Sequence, residues 1–240
     1  MPGMGVVSDR ALSLDPSRIG IFVSVYNRPD YTRRSFQSLA RNAPARESRI
    51  FVVDDASTAF GRGAYEAIER LHGIHPNVSV FRNPRNIGIA RMVHKFADMA
   101  ALFAVEYLYI TDNDMIYGVS WFENLVACYL HFRQRHPMVV ASCLNVPDHA
   151  LLDSAANSDR FVEKASIGGA SWFCSLETMR TLLSDEPVVY WDHRGVERLR
   201  AAGGVIGCTR RSFVQHIGAH GLNSRGTHDR GVDFVGEISR

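Results

Sequence analysis

The feature that most constrains this chain is a pair of carboxylates one residue apart, set at the end of its most apolar strand candidate. Residues 104–110 (Ala-Val-Glu-Tyr-Leu-Tyr-Ile) lead into Asp112-Asn113-Asp114, and Met115-Ile116-Tyr117 follows. A continuous run of aromatic and branched residues reads as a strand buried on both faces. In an open α/β sheet the carboxyl end of such a strand faces the ligand crevice. Carboxylate oxygens are the hard donors that Mg²⁺ and Mn²⁺ prefer, and these ions commonly bridge protein to substrate phosphates. The pattern therefore points to a metal-bound nucleotide diphosphate.

The rest of the first half supports that placement. Residues 19–25 (Ile-Gly-Ile-Phe-Val-Ser-Val) form a second buried-type run ending at Tyr26-Asn27-Arg28-Pro29. Pro29 then opens a helix over 30–41. A strand over 49–53 ends in Asp54-Asp55-Ala56-Ser57-Thr58. A helix over 63–72 follows, then a strand over 78–81, a polar loop through Asn86-Ile87-Gly88, and a helix over 89–103. Strands alternating with helices at this spacing predict β-α-β units and a mainly parallel sheet. Further on, the expected elements are a helix over 121–135, a strand over 138–143, a polar aperiodic loop over 147–160, and a Gly168-Gly169-Ala170 turn. Helices over 176–183 and 196–202 and a short strand over 205–208 complete the list.

Composition narrows the class. With 27 basic and 25 acidic residues in 240, the net charge of +2 gives no overall field that would favour nucleic acid. Arg28, Arg33, Arg34, Arg82, Arg85 and Arg91 nevertheless cluster in loops and helix starts of the first half, where an anionic ligand would lie. The four cysteines are widely spaced, which argues against a zinc knuckle and reads as free thiols in a reducing compartment. The first 18 residues lack the order of a signal peptide, and no apolar stretch is long enough to span a bilayer. A cytoplasmic protein is expected, with peripheral membrane contact left open.

Several constellations could carry chemistry, each beside a plainer reading. Asp54-Asp55 could recognise a nucleobase N–H or simply cap the next helix. Asn86-Ile87-Gly88 has ordinary turn chemistry, and Arg91 is either a nucleotide contact or a surface arginine. His216, in Phe213-Val214-Gln215-His216, is a candidate metal ligand because a metal held by carboxylate and phosphate oxygens accepts further donors. His220 competes for that role. Asp192, just before the last long helix, is a candidate general base for an acceptor hydroxyl, with His193 and Glu197 as alternatives.

The order of these pieces resembles family-2-like glycosyltransferases of the GT-A fold, from about residue 19 to 221. Tyr26-Asn27-Arg28 matches the family's opening Tyr-Asn pair. Val52-Val53-Asp54-Asp55-Ala56-Ser57 matches its Val-Val-Asp-Asp-x-Ser segment, and Asn86-Ile87-Gly88-Ile89-Ala90-Arg91 its Asn-x-Gly turn. Asp112-Asn113-Asp114 is its Asp-x-Asp motif, and Gly168-Gly169-Ala170 and Trp191-Asp192 resemble acceptor-side segments. Two departures stand out: Ser24-Val25 replaces the usual proline, and Trp191 stands where Glu is common.

The resemblance implies one GT-A domain over 19–222, with a Rossmann-like nucleotide-sugar half (19–118) and a mixed acceptor half (119–222) around one central sheet. Residues 1–18 would be a loose leader and 223–240 a tail or lid. It implies a metal-dependent, inverting transfer of sugar from a nucleotide-diphosphate sugar to an acceptor hydroxyl on a saccharide, lipid-linked glycan or small molecule. UDP is the expected nucleotide, with GDP and dTDP open. Mn²⁺ or Mg²⁺ would be held by Asp112, Asp114 and His216. Tyr26, Asn27, Arg28, Asp54, Asp55, Asn86, Gly88, Arg91, Asp112 and Asn113 would contact the donor. Asp192 would be the base. A nucleotidyltransferase and a catalytically silent sugar-nucleotide-binding protein are the rival readings. The first would want a Gly-rich phosphate loop where Tyr26-Asn27-Arg28-Pro29 stands.

Overall fold

The computed structural model describes residues 13–59, 62–183, 185–218 and 230–237. The elements of the first half are strands β1 (Ile19–Val25), β2 (Arg49–Asp54), β3 (Val78–Arg82) and β4 (Tyr107–Asp112), with helices α1 (Pro29–Arg41), α2 (Arg62–Ile74) and α3 (Gly88–Leu102) between them. The four strands lie in the order β3-β2-β1-β4 and all run parallel. Their carboxyl ends therefore share one edge, and Val25, Asp54 and Asp112 all arrive there. Paired register makes this explicit: Val25 lies opposite Asp54, and Ser24 opposite Asp112.

After β4 the chain makes the short strand β5 (Met115–Tyr117) and helix α4 (Trp121–Arg133), then β6 (Val139–Ser142), β7 (Phe161–Glu163) and β8 (Ser171–Ser175). Helices α5 (Leu176–Leu182) and α6 (Trp191–Ala201) and strands β9 (Val205–Thr209) and β10 (Val214–His216) complete the described elements. β8 inserts antiparallel beside β4, and the sheet continues through β6, β9 and β7 to eight strands. β5 pairs antiparallel with β10 as a separate two-stranded ribbon.

Alternation along the central strands splits the core into two layers. Ile19, Ile21, Val23 and Val25 of β1 and Ile50 and Val52 of β2 pack with α1, α2 and α4 on one face. Phe22, Phe51 and Val53 pack with α3, α5 and α6 on the other. Phe22 stacks on Phe51 at 4.7 Å and leans on Phe96 of α3 at 5.3 Å, so aromatic contact fixes α3 to the sheet. All four cysteines are buried and free, and burial pushes the Cys143 and Cys208 thiols up to about 12.

Several sequence expectations shift. The run 104–110 does not begin as strand: Ala104 has φ 55° and Val105 N–H bonds back to the Ala100 carbonyl, so β4 starts at Tyr107 and extends to Asp112 itself. Asp192 lies inside the first turn of α6, not before the helix, because Tyr190 already closes the first helical bond with Arg194 N–H. β5, β7, β8 and β10 were not anticipated; apart from β8 each has only three residues, too short for periodicity to register. Residues 230–237, expected in a tail or lid, bond to the body: Val232 N–H donates to Asn145 O and Val235 N–H to Ser212 O. Residues 1–12, 219–229 and 238–240, and His220 with them, lie outside the described residues.

Phe22→Ala should cost about 3–5 kcal/mol of stability, because it removes a fully buried ring from the α3 layer. Urea unfolding measures this, and a loss below about 1 kcal/mol would contradict the packing role.

Candidate active site

The site is built where β4 ends. Asp112 is its last residue, and Asp114 sits in the two-residue turn before β5. Asp114 is almost fully enclosed, with 2% of its side chain exposed. His216 pairs with Met115 across the β5–β10 ribbon, and Ile217 N–H donates to Asp114 O at 2.9 Å. That ribbon places His216 Nε2 3.1 Å from Asp114 Oδ2, although 102 residues separate the two. Arg28 Nη1 donates to the same oxygen at 2.6 Å. Asp114 Oδ1 is buried and has no hydrogen-bond partner among the described residues.

These neighbours settle the charge. Burial alone would raise the Asp114 carboxyl, but the hydrogen bond and charge of His216, then those of Arg28, outweigh it and hold its pKa below the ordinary value. Asp112 goes the other way. Burial first, then the negative charge of Asp114, pushes it up to about 6, against a hydrogen bond from Ser24 Oγ at 2.7 Å. Ser24 belongs to the Ser24-Val25 pair that replaces the usual proline, which has no side-chain donor to offer Asp112.

The loop after β1 is strained in a way that aims Arg28. Asn27 and Arg28 have φ values of 52° and 57°, in the left-handed region that costs L-residues about 1 kcal/mol each. Pro29 fixes the first helical position, and Thr32 N–H closes on Arg28 O at 3.0 Å. Asn27 Oδ1 accepts N–H bonds from Thr58 and Ala59, both 2.9 Å, and so ties this loop to the one after β2. Asn113, expected to face the donor, turns inward: its amide donates to Thr32 Oγ1 at 2.6 Å and to Asn27 O at 3.2 Å. It positions the turn against α1.

The two aspartates after β2 are also held by protein donors. Asp54 accepts Ser57 N–H at 2.9 Å and pairs with Arg82 at 3.1 Å. Asp55 accepts Asn83 Nδ2 at 2.7 Å, Ile87 N–H at 2.9 Å and Gly88 N–H at 2.8 Å, so its carboxylate fixes the start of α3. Gly88 needs no space for itself, but its φ of 78° favours glycine. Asn86 donates to Asp55 O at 3.3 Å, Arg91 is exposed on the first turn of α3, and Tyr26 is 40% exposed at the end of β1.

Asp192 reaches the same sheet edge by a different route. Thr111 pairs with Ser171, so the residues before β8 extend alongside Asp112. Gly169 N–H, in that segment, donates to Asp192 Oδ2 at 3.1 Å. Trp191, standing where an acid is usual, is buried against Trp172 at 4.9 Å, and Trp172 Nε1 donates to Gly168 O at 2.8 Å. The two indoles thus support the glycine turn that holds Asp192. The alternatives fare differently: Glu197 is exposed and paired with Arg194, and His193 is exposed against Tyr190.

Sequence reasoning noted Ser24 only as a departure from the family pattern and missed Thr32 and Gly218. The last could not be read from spacing, yet a Cβ built at Gly218 would lie 2.1 Å from Asp114 Oδ2 and 2.9 Å from His216 Nε2. Its backbone closes over the acid group.

A Rossmann-like parallel half, an antiparallel extension beside β4, and an acidic turn at their shared edge define a GT-A architecture. The model of glycosyl transferase family 2 matches residues 20–149, more than half of the chain, and the chain belongs to that family. Solved structures agree in fold. A mannosyltransferase from Pyrobaculum calidifontis, PcManGT, in complex with GDP-Man and Mn²⁺, is 18% identical with a TM-score of 0.57; the match covers 82% of this chain and 56% of that one. GalNAc-T7 with UDP, GalNAc and Mn²⁺ is 17% identical with a TM-score of 0.65, covering 82% and 43%. TarS of S. aureus is 15% identical with a TM-score of 0.53, covering 82% and 59%. The chain thus spans about half the length of the solved structures it matches. No curated protein matches it.

Asp55→Ala should lower stability by about 2 kcal/mol without any ligand present, since it strands one buried and two half-buried donors. Unfolding in urea checks this; an unchanged midpoint would show that the α3 start does not depend on that carboxylate.

Proposed function

We propose that the protein is a divalent-metal-dependent, inverting glycosyltransferase that moves a sugar from a nucleotide-diphosphate sugar to an acceptor hydroxyl. The observation that supports it most is the meeting of Asp114 and His216 at the sheet edge where Asp112 ends. Among the described residues, no three His, Cys, Asp or Glu side chains converge closely enough to hold a metal by themselves. The donors present suit an ion shared with phosphates: one buried carboxylate oxygen lacking a partner, an imidazole beside it, and a second carboxylate one residue away. Mn²⁺ or Mg²⁺ bound there would neutralise charge on the departing diphosphate.

The chain's own groups carry the other parts. Asp192, held by Gly169 N–H, takes the proton of the acceptor hydroxyl as its oxygen attacks the anomeric carbon. The bond from that carbon to the diphosphate oxygen breaks on the opposite face, which inverts the configuration. The first half binds the nucleotide, with Tyr26 offering an exposed ring face and Arg91 a cation at the start of α3. UDP is the proposed nucleotide on the family resemblance of the 52–57 segment, whose Asp54 and Asp55 carboxylates shape the loop through Ser57, Arg82, Asn83, Ile87 and Gly88. The two nucleotide-bearing neighbours hold different bases, so the fold leaves base choice to these loops. No helix among the described residues is long and apolar enough to cross a membrane.

Purified protein should turn over UDP-sugars with Mn²⁺ or Mg²⁺ and stop when EDTA is added; activity that survives chelation would reject the metal. Asp192→Asn should lower kcat about a hundredfold or more while leaving nucleotide affinity unchanged. Binding measured by calorimetry without any turnover would favour a silent sugar-nucleotide-binding protein.

A further inference from the structure

Arg28 is a poorly satisfied partner for a buried carboxylate. Structural arginine–carboxylate pairs usually engage through two parallel N–H···O bonds. Here Nη1 alone reaches Asp114, while Nε and Nη2 are shielded from solvent and have no hydrogen-bond partner among the described residues. The single accepting oxygen is shared with His216, and the other carboxylate oxygen has no such partner. Buried donors without acceptors are costly, so a native structure that keeps them invites an explanation in function.

The surroundings hold the backbone of Arg28 firmly and its head group by one hydrogen bond. Pro29 and the Thr32 N–H bond pin its main chain. The guanidinium lies over the Tyr31 ring at 4.5 Å, a contact that survives a modest swing of the head group. Gly218 lines the other side, where a Cβ would stand 2.5 Å from Nη2. A glycine there lets the backbone close on the guanidinium and the carboxylate together, where any side chain would clash.

We propose that Arg28 is a displaceable internal cation. It neutralises Asp114 while the site is empty, gives up that carboxylate to an incoming divalent ion, and turns its unpartnered N–H groups to the diphosphate of the donor. The inference rests on the reading of Asp114 and His216 as the metal end of the site. A divalent ion and the Arg28 guanidinium would repel each other at the Asp114 carboxylate, and a diphosphate offers Arg28 the two-point anion that Asp114 does not. Arg28 is thus a competitor of the metal and an ally of the nucleotide, and its removal should move the two affinities in opposite directions.

The test is calorimetry of Mn²⁺ alone, and of UDP in the presence of saturating Mn²⁺, on wild type, Arg28→Ala and Asp114→Asn. Arg28→Ala should bind Mn²⁺ about tenfold more tightly and UDP about tenfold or more weakly, in line with the loss of one charge-assisted hydrogen bond in each case. Should that variant fail to fold, Arg28→Gln keeps the length without the charge and should give the same crossed signs. Mn²⁺ affinity that is unchanged or weaker in the folded variant would overturn the inference. Asp114→Asn separates the two levels of the reading: if it abolishes Mn²⁺ binding while Arg28→Ala leaves it unchanged, only the displacement falls. If Asp114→Asn also leaves Mn²⁺ binding unchanged, the metal assignment itself falls. Crystals of wild type with and without Mn²⁺ and UDP should show the guanidinium leaving Asp114; a fixed Arg28–Asp114 pair in both would sink the proposal.

Discussion

A carboxylate shut away from water stays charged only if cations or hydrogen-bond donors stand against it, and that condition organises this molecule. Asp114 meets it with Arg28 on one side and His216 on the other. Each partner demands its own scaffold. Arg28 comes from two left-handed residues ahead of a proline, locked by Thr32 and by the amide of Asn113. His216 comes from a three-residue strand that exists only because β5 offers it an edge. Removing either support would leave the acid buried and short of charge compensation, the most destabilising way to break such a group.

The sheet explains why the acid is there at all. Four parallel strands bring their carboxyl ends to one edge, and a parallel β4 must deliver its last residue to the crevice. The antiparallel β8 then doubles the use of that edge. Because it runs against β4, its amino end, with the glycine turn before it, stands beside Asp112. Asp112 and the turn that holds Asp192 thereby share one rim, although they come from opposite halves of the chain. The paired indoles of Trp172 and Trp191 do for Asp192 what an acid at 191 could not: they fill the core behind the turn and leave Gly169 N–H to orient the carboxylate.

The first, parallel half was legible in the sequence because its elements are long and locally consistent. Apolar runs over 19–25 and 49–53 and the helices between them carry their own periodicity, and the structure moves their ends by a residue or two. Asp112, Asp114 and His216 could be singled out by residue type, but their contact could not be read locally, since it depends on the β5–β10 register. β8 was hidden because its residues, Ser-Trp-Phe-Cys-Ser, follow glycines and run straight into a helix, so no turn marks them off. The inward turn of Asn113 and the saturation of Asp55 by loop donors are tertiary facts. The same side chains would suit solvent or ligand equally well in sequence. Ser24 shows the opposite lesson: a departure from a family pattern marked a position whose hydroxyl has a partner.

The claim that most depends on these contacts is that Asp114 and His216 hold one divalent ion together with the donor's phosphates. Pulsed electron paramagnetic resonance of Mn²⁺ in the protein with UDP reads the ion's neighbours directly. The geometry predicts a nitrogen coupling that vanishes in His216→Ala, together with phosphorus couplings from the nucleotide. A spectrum of hydrated Mn²⁺ with neither coupling would contradict it.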